Sequence, residues 1–287
     1  MIAQIKKWLK KIIFDRGWVI FVNLKSTSPS FDFKNFKALL PPRDRFWADP
    51  FIISKEGKHY IFLEEFMWST NKGHLSCIVL DSQGKIVQLK IILDQPYHLS
   101  YPFLFEEDNV LYMIPESSAN KTIDLYECVH FPFEWKFKQT LMNNIDAVDT
   151  TIYFHEKKYW LFTAERNDPT KQVYDNLTIY YSDQLLDGNW ISHPKNPVVS
   201  DIKSARPAGK IFEWDGKLCR PSQIGVPFYG YGLALNQITE LNENSFSENN
   251  FMTIKPDWRK GLGSVHTFNF SNQATITDGV LKRRRRF

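Results

Sequence analysis

Two aspartates, Asp49 and Asp149, interrupt apolar runs at the same place: Phe46-Trp47-Ala48-Asp49-Pro50-Phe51 and Ala147-Val148-Asp149-Thr150-Thr151-Ile152. Tyr101, Arg206 and His266 stand at the corresponding place in three further runs. Glu65, Glu116, Glu165 and Gln223 follow Asp49, Tyr101, Asp149 and Arg206 after 16, 15, 16 and 17 residues. Carboxyls brought together from separate strands suit chemistry at a glycosidic bond, one as acid and the other as base or nucleophile. Asp49, Asp149 and Glu116 are therefore candidate catalytic groups. Arg45, Arg206 and Arg220 are candidate clamps for a phosphate or carboxylate, since the guanidinium fork fits both. Glu65, Tyr101, Glu165, Gln223 and His266 complete the candidate binding set. Trp47, Tyr101, Trp68, Phe228 and Tyr229 are candidate sugar-stacking rings. The alternative is a buried, mutually paired network that only knits the structure together.

The elements that must position these residues form a repeat. Four segments, Phe46 to Glu65, Leu99 to Glu116, Ala147 to Glu165 and Ala205 to Gln223, each read as strand, turn, strand, with periods of 52, 48 and 57 residues. Third strands follow at His74 to Leu80, Ile123 to Cys128, Leu177 to Tyr181 and Tyr231 to Leu235, with a fourth, outer strand expected after each. Four short strands per unit at a period of about 50 describe propeller blades. A fifth first strand, Ser264 to Phe270, is too short of chain to complete itself, having only Ala274 to Thr277 before Asp278-Gly279. Trp18 to Leu24 resembles the third strands, so blade five is built from both chain ends, which removes free sheet edges. The expected fold is all-β: a five-bladed β-propeller over residues 16–281. Its first strands line a central channel, into which Asp49, Asp149, Arg206, His266 and Glu116 would point, with Glu65 and Glu165 at its wall.

Composition agrees with this class and narrows the chemistry. Aromatic residues make up 15% of the 287, and they favour strands as well as sugar stacking. Three cysteines without CxxC spacing argue against a zinc site or a disulfide framework, and for a reducing compartment. There is no apolar run of about 18 residues and no secretion-signal pattern, so a cytoplasmic location is expected. The net charge of +4 is concentrated at the ends. Residues 1–15 are expected to form an amphipathic helix, with Lys6, Lys7, Lys10 and Lys11 beside an apolar stripe. The chain ends in a basic tail, 282–287, containing Arg283, Arg284, Arg285 and Arg286. Together these suit peripheral attachment to the inner face of an anionic membrane. No nucleic-acid-binding signature accompanies the charge.

The Phe46 to Phe51 run is similar to that of the five-bladed glycoside hydrolases of family 43. That resemblance implies a first-blade Asp as base, matched by Asp49, and a third-blade Asp that orients the acid, matched by Asp149. It also implies a Glu acid on the first strand of blade four, where this chain has Arg206, and an axial calcium near a fifth-blade His, in the place of His266. A fuller resemblance extends from about Trp18 onward. It is carried by Phe46 to Phe51, His98 to Pro102, Ile114 to Ser117, Asp149 to Thr151, Ser204 to Gly209 and His266 to Asn269. These runs resemble the propeller domain of the glucosamine inositolphosphorylceramide transferase family and its bacterial relatives. The resemblance implies glycan or glycolipid biosynthesis. Three functions follow as expectations: sugar transfer involving a membrane-linked or nucleotide-linked sugar, glycoside hydrolysis by Asp49 and Asp149, or non-catalytic glycan binding beside a partner transferase.

Overall fold

The computed structural model describes residues 14–25, 27–166, 170 and 174–284. Two strands begin the chain, β1 (Phe14–Asn23) and β2 (Lys37–Leu39). Blade one follows as β3 (Arg45–Lys55), β4 (Lys58–Met67), β5 (Lys72–Leu80) and β6 (Ile86–Leu93). Blade two is β7 (Ser100–Glu107), β8 (Val110–Glu116), β9 (Thr122–His130) and β10 (Glu134–Asn143). Blade three comprises β11 (Ala147–His155), β12 (Lys158–Glu165) and β13 (Asn176–Ser182), with the short β14 (Ile191–Ser192) and β15 (Val199–Ser200) both pairing with β13. Blade four is β16 (Phe212–Trp214), β17 (Lys217–Ile224), β18 (Gly232–Leu241) and β19 (Phe246–Ile254). The last strands are β20 (Leu262–Ser264), β21 (Phe268–Ser271) and β22 (Ala274–Arg284).

These strands make five antiparallel sheets, and the fifth joins the two ends of the chain in the order β2-β1-β22-β20, with β21 also on β22. The protein is a five-bladed β-propeller closed as its repeats require. Strand β1 pairs with β22 from Phe14↔Arg284 to Asn23↔Thr275, so the ring is fastened by a continuous hydrogen-bonded ladder. The core lies between blades. Central strands carry unbroken apolar runs such as Ile61-Phe62-Leu63, all fully buried, because each has a neighbouring blade on both faces. Ile20 and Ile276 of blade five pack with Ile61 and Leu80 of blade one, and Phe21 and Phe268 with Leu233 and Leu235 of blade four. Each such side chain contributes about 1.5–3 kcal/mol by leaving water.

Two expectations about the ends change. Phe14 and Asp15, assigned by sequence to the helix, belong to strand β1, where β22 takes up their backbone groups. The rest of that expected helix, with Lys6, Lys7, Lys10 and Lys11, lies outside the described residues, as do Arg285 and Arg286. Among the described residues there is no α-helix. Lys282 and Arg283, expected in the basic tail, instead lie in β22 with Arg284, and Arg283 Nη1 donates to the Pro41 carbonyl at 2.9 Å.

Candidate functional site

The first three blades share a backbone device. Between Ala48↔Glu64 and Phe51↔Phe62 two residues of β3 face one of β4, and the same bulge recurs between Ser100↔Glu116 and Phe103↔Ile114, and between Val148↔Ala164 and Thr151↔Phe162. The first bulged residue of each is Asp49, Tyr101 or Asp149, at φ 50°, 42° and 54°. Non-glycine residues rarely enter this region, and a β-bulge re-aims the side chain it carries. The recurring sequence column is thus a recurring strained turn of the chain.

Four carboxyls act on one another here: Asp49, Glu64, Glu116 and Asp149, with Asp278 joining from β22. Burial pushes Asp49 up to about 6, with Asp149 and Asp278 adding to the shift and His266 opposing it. Burial, then the Asp149 charge, lifts Glu116 well above the usual carboxylate range despite Arg206, and a hydrogen bond between the Glu116 and Asp149 carboxyls has the same effect. Glu64 is lifted in the same way by burial and by Asp49 and Glu116. Asp49, Glu64 and Glu116 are thus each pushed toward the proton-bound form, with His266 opposing at Asp49 and Arg206 at Glu116.

Arg206 Nε donates to Asp149 Oδ2 at 2.5 Å, and its Nη2 lies 3.8 Å from Glu116 Oε2. Its guanidinium stands over Tyr229 at 5.0 Å and Tyr174 at 5.5 Å. Gln223 Nε2 donates to the same Asp149 oxygen at 2.7 Å, leaving Gln223 Oε1 buried without a donor. On the other side His266 stacks on Trp18 with ring centroids 3.8 Å apart. Its Nδ1 is 2.7 Å from Asp278 Oδ2 and its Nε2 3.7 Å from Asp49 Oδ1. Burial disfavours the imidazolium, but Asp278 and Asp49 outweigh it and raise the His266 pKa. Thr267 Oγ1 donates to Asp49 Oδ1 at 2.9 Å.

The axial-cation expectation falls on Asp49, His266 and Asp278, which bring ligand atoms within 4.8 Å of one another. Yet Asp278 already accepts from the backbone N–H groups of Asp49, His266 and Thr267 as well as facing His266 Nδ1. Calcium takes six to eight oxygens. With Asp278 occupied in this way, Asp49, the His266 ring and water would have to supply the coordination.

Several sequence candidates fall elsewhere. Glu65 is held within blade one by Arg45, Trp47, His74 and Ser76. Burial acts against its ionisation, but these hydrogen bonds bring it down to about 2. Glu64, one residue earlier, takes the ring position, 15 residues after Asp49 as Glu116 is after Tyr101. Strand side chains alternate, so a one-residue step sends the carboxyl to the opposite face. Glu165 is likewise turned to Thr178 and Tyr180 of its own blade, and Ala164 holds the ring position. Trp47 is 2% exposed and fixed to Glu65, which removes it as a stacking surface. Tyr101 is fully buried, with its hydroxyl 3.0 Å from Thr151 Oγ1. Arg45 is tied to Asp44 and Glu65. Arg220, 1% exposed, binds Glu248 and the carbonyls of Ser204 and Ala205. The proposed clamp thus reduces to Arg206. Trp68, Phe228 and Tyr229 remain exposed. Sequence reasoning missed Glu64, Asp278, Trp18, Tyr174 and Thr267; only Glu64 had a signal, the spacing of 15.

A cavity of about 400 Å³ opens at the other end of the channel, lined by residues including Ile53, Phe105, Lys210 and Asn272. It lies below the bulges, away from the carboxyl ring. We place the site at the ring, where the titratable groups converge.

The five-bladed propeller fold has matches among solved structures. The catalytic domain of the Coprinopsis cinerea GH62 α-L-arabinofuranosidase matches with a TM-score of 0.60 at 13% identity, over 80% of each chain. An exo-β-1,3-galactanase from Clostridium thermocellum matches with a TM-score of 0.55 at 12% identity, over 83% of this chain and 54% of that one. At such identities the likeness is one of fold. The family itself is shown by sequence: residues 38–268 match the family "glucosamine inositolphosphorylceramide transferase 1, N-terminal", and the chain belongs to it. Proteins named glucosamine inositolphosphorylceramide transferase 1 are 33% identical in Arabidopsis thaliana and 32% in Oryza sativa subsp. japonica, each over 206 residues, 71% of this chain. The match spans 27% of those relatives' length.

Proposed function

We propose that this propeller binds a sugar over the ring end of its channel and takes part in glycosyl transfer within glycan or glycolipid biosynthesis. The observation that carries the reading is the pair Asp49 and Glu116: two neighbouring carboxyls with different proton affinities, one near 6 and the other well above the usual range. Pairs whose environments separate their pKa values supply an acid and a base at one pH. Glu116 would give its proton to the leaving glycosidic oxygen, while Asp49, ionised above about pH 6, takes the proton of the attacking hydroxyl. Arg206, held by Asp149, offers positive charge to a phosphate or carboxylate on the donor. Gln223 Oε1, buried without a donor, is the acceptor that a sugar hydroxyl reaching into the ring would meet, and Tyr229 offers a half-exposed ring for its apolar face.

The test is a thermal-shift screen with sugar nucleotides, lipid-linked sugar analogues and free oligosaccharides, followed by product analysis by mass spectrometry. Transfer requires a product in which the sugar is joined to a new hydroxyl, and loss of at least a hundredfold in rate for both Asp49→Asn and Glu116→Gln with the fold intact. Free sugar as the sole product would assign hydrolysis instead. A second reading, glycan binding beside a separate transferase, is favoured by one observation: most of the relatives' length lies outside the matched region. Saturable sugar binding without any product, weakened by Asp49→Asn, would establish it.

A further inference from the structure

We infer that the ring end of the propeller is also a docking face for an anionic lipid surface, so that the channel opens toward a membrane. The inference goes beyond the proposed chemistry and does not depend on it.

The directions of the blade-five strands carry the argument. Trp18, on β1, stacks on His266 at the ring, and the strand pairing continues outward from there through Arg16↔Lys282 and Asp15↔Arg283 to Phe14↔Arg284. At about 3.3 Å per residue these last three pairs carry both strands roughly 10 Å beyond Gly17. The ribbon passes the entrance of blade one, where Gly17 lies beside Phe46 and Arg283 reaches Pro41. Phe14, where β1 begins, and Arg284, where β22 ends, therefore stand side by side on the end that holds the ring. The sequence on those two sides contains Lys6, Lys7, Lys10 and Lys11, and Arg285 and Arg286. The loop beside the ribbon adds the exposed Lys255 and Lys260, and its Gly261 carbonyl accepts from Lys282 N.

The same end presents apolar side chains to water. Trp68, Phe228 and Tyr229 are 51%, 49% and 53% exposed, and Leu40 is 51% exposed. They come from the loops entering β3, joining β4 to β5 and joining β17 to β18, which all lie at the ring end. Basic residues interleaved with exposed aromatic rings match a bilayer interface, where headgroups take the charge and the acyl boundary takes the rings. A nucleic acid would meet the charge equally well but leaves Leu40 unexplained.

The test is co-sedimentation of the full chain with phosphatidylcholine vesicles with and without 30 mol% phosphatidylserine, at low and high salt. Binding is expected only with the anionic lipid and is expected to fall as salt rises. Arg284→Ser, Arg285→Ser and Arg286→Ser together should lower partitioning by on the order of a hundredfold. The pair Trp68→Ser and Phe228→Ser should lower it severalfold, whereas Phe154→Ser, which removes an equally exposed ring from the far end of blade three, should not. Circular dichroism checks that each variant is folded. Asp49→Asn should bind vesicles as the wild type does, whatever it does to sugar binding, which separates this inference from the proposed function. Equal sedimentation with neutral vesicles, equal loss with Phe154→Ser, or salt-sensitive RNA binding with no response to the aromatic variants would each overturn it.

Discussion

Arg206 of blade four and Asp149 of blade three meet across the blade boundary, Nε to Oδ2, at 2.5 Å. The residue that stands where the hydrolase resemblance calls for an acid is instead the partner of a ring carboxylate. Arg206→Ala removes the cation from a part-buried pair and leaves Asp149 beside Glu116. A loss of on the order of 3 kcal/mol in urea unfolding is expected. Arg206→Lys should recover part of it, having charge without the fork. Wild-type stability in Arg206→Ala would show that the pair does not knit blades three and four.

Asp49 governs the pH dependence. Its pKa is raised from 3.8 in the ordinary carboxyl to about 6 in the folded protein, so the fold binds that proton more tightly than the unfolded chain does. The resulting stability is complete below about pH 4 and lost as pH rises through about 6. His266, also raised, changes in the same sense. Asp49→Asn keeps a residue that tolerates positive φ and an oxygen for Thr267, but carries no charge to bury. It should be more stable than the wild type at pH 7, by on the order of 2 kcal/mol, with the advantage vanishing near pH 4. Denaturation at both pH values checks this; an advantage independent of pH would contradict it.

Glu64 and Glu65 provide a test of register. Glu65→Gln weakens bonds to Arg45 and His74 and should cost about 2–3 kcal/mol, leaving sugar affinity unchanged. Glu64→Gln should cost little stability, because Glu64 is already driven toward its neutral form, but should shift the pH profile of sugar binding. Calorimetric titration of both variants between pH 5 and 8 distinguishes them.

Tyr101 is expected to be structural. Tyr101→Phe loses the contact with Thr151 and should lower stability by about 1 kcal/mol, with sugar affinity unaltered in the same titration.

The blade count, the closure of blade five and the column Asp49, Tyr101, Asp149 were legible because each recurs in register. What recurrence could not resolve was which way a side chain turns. Glu65 and Glu64 differ by one position, and the bulge at Asp49 shifts strand parity by a residue, so aligning carboxyls by type selected the wrong neighbour. Asp278-Gly279 has the composition of a turn, yet it continues β22, because the pairing with β1 runs through it. Arg220 and Trp47 have the residue types of a binding site, but Glu248 and Glu65 claim them. Those partners lie on other strands at spacings that sequence does not single out.

The central claim is that a sugar binds at the carboxyl ring. Crystals soaked with the ligand that gives the largest thermal shift test it most directly. The account predicts density against Tyr229, with sugar hydroxyls within hydrogen-bonding distance of Asp49 and Gln223 Oε1, and none in crystals of Asp49→Asn at the same concentration. Density confined to the opposite cavity beside Lys210, or unchanged at the ring in Asp49→Asn, would contradict it.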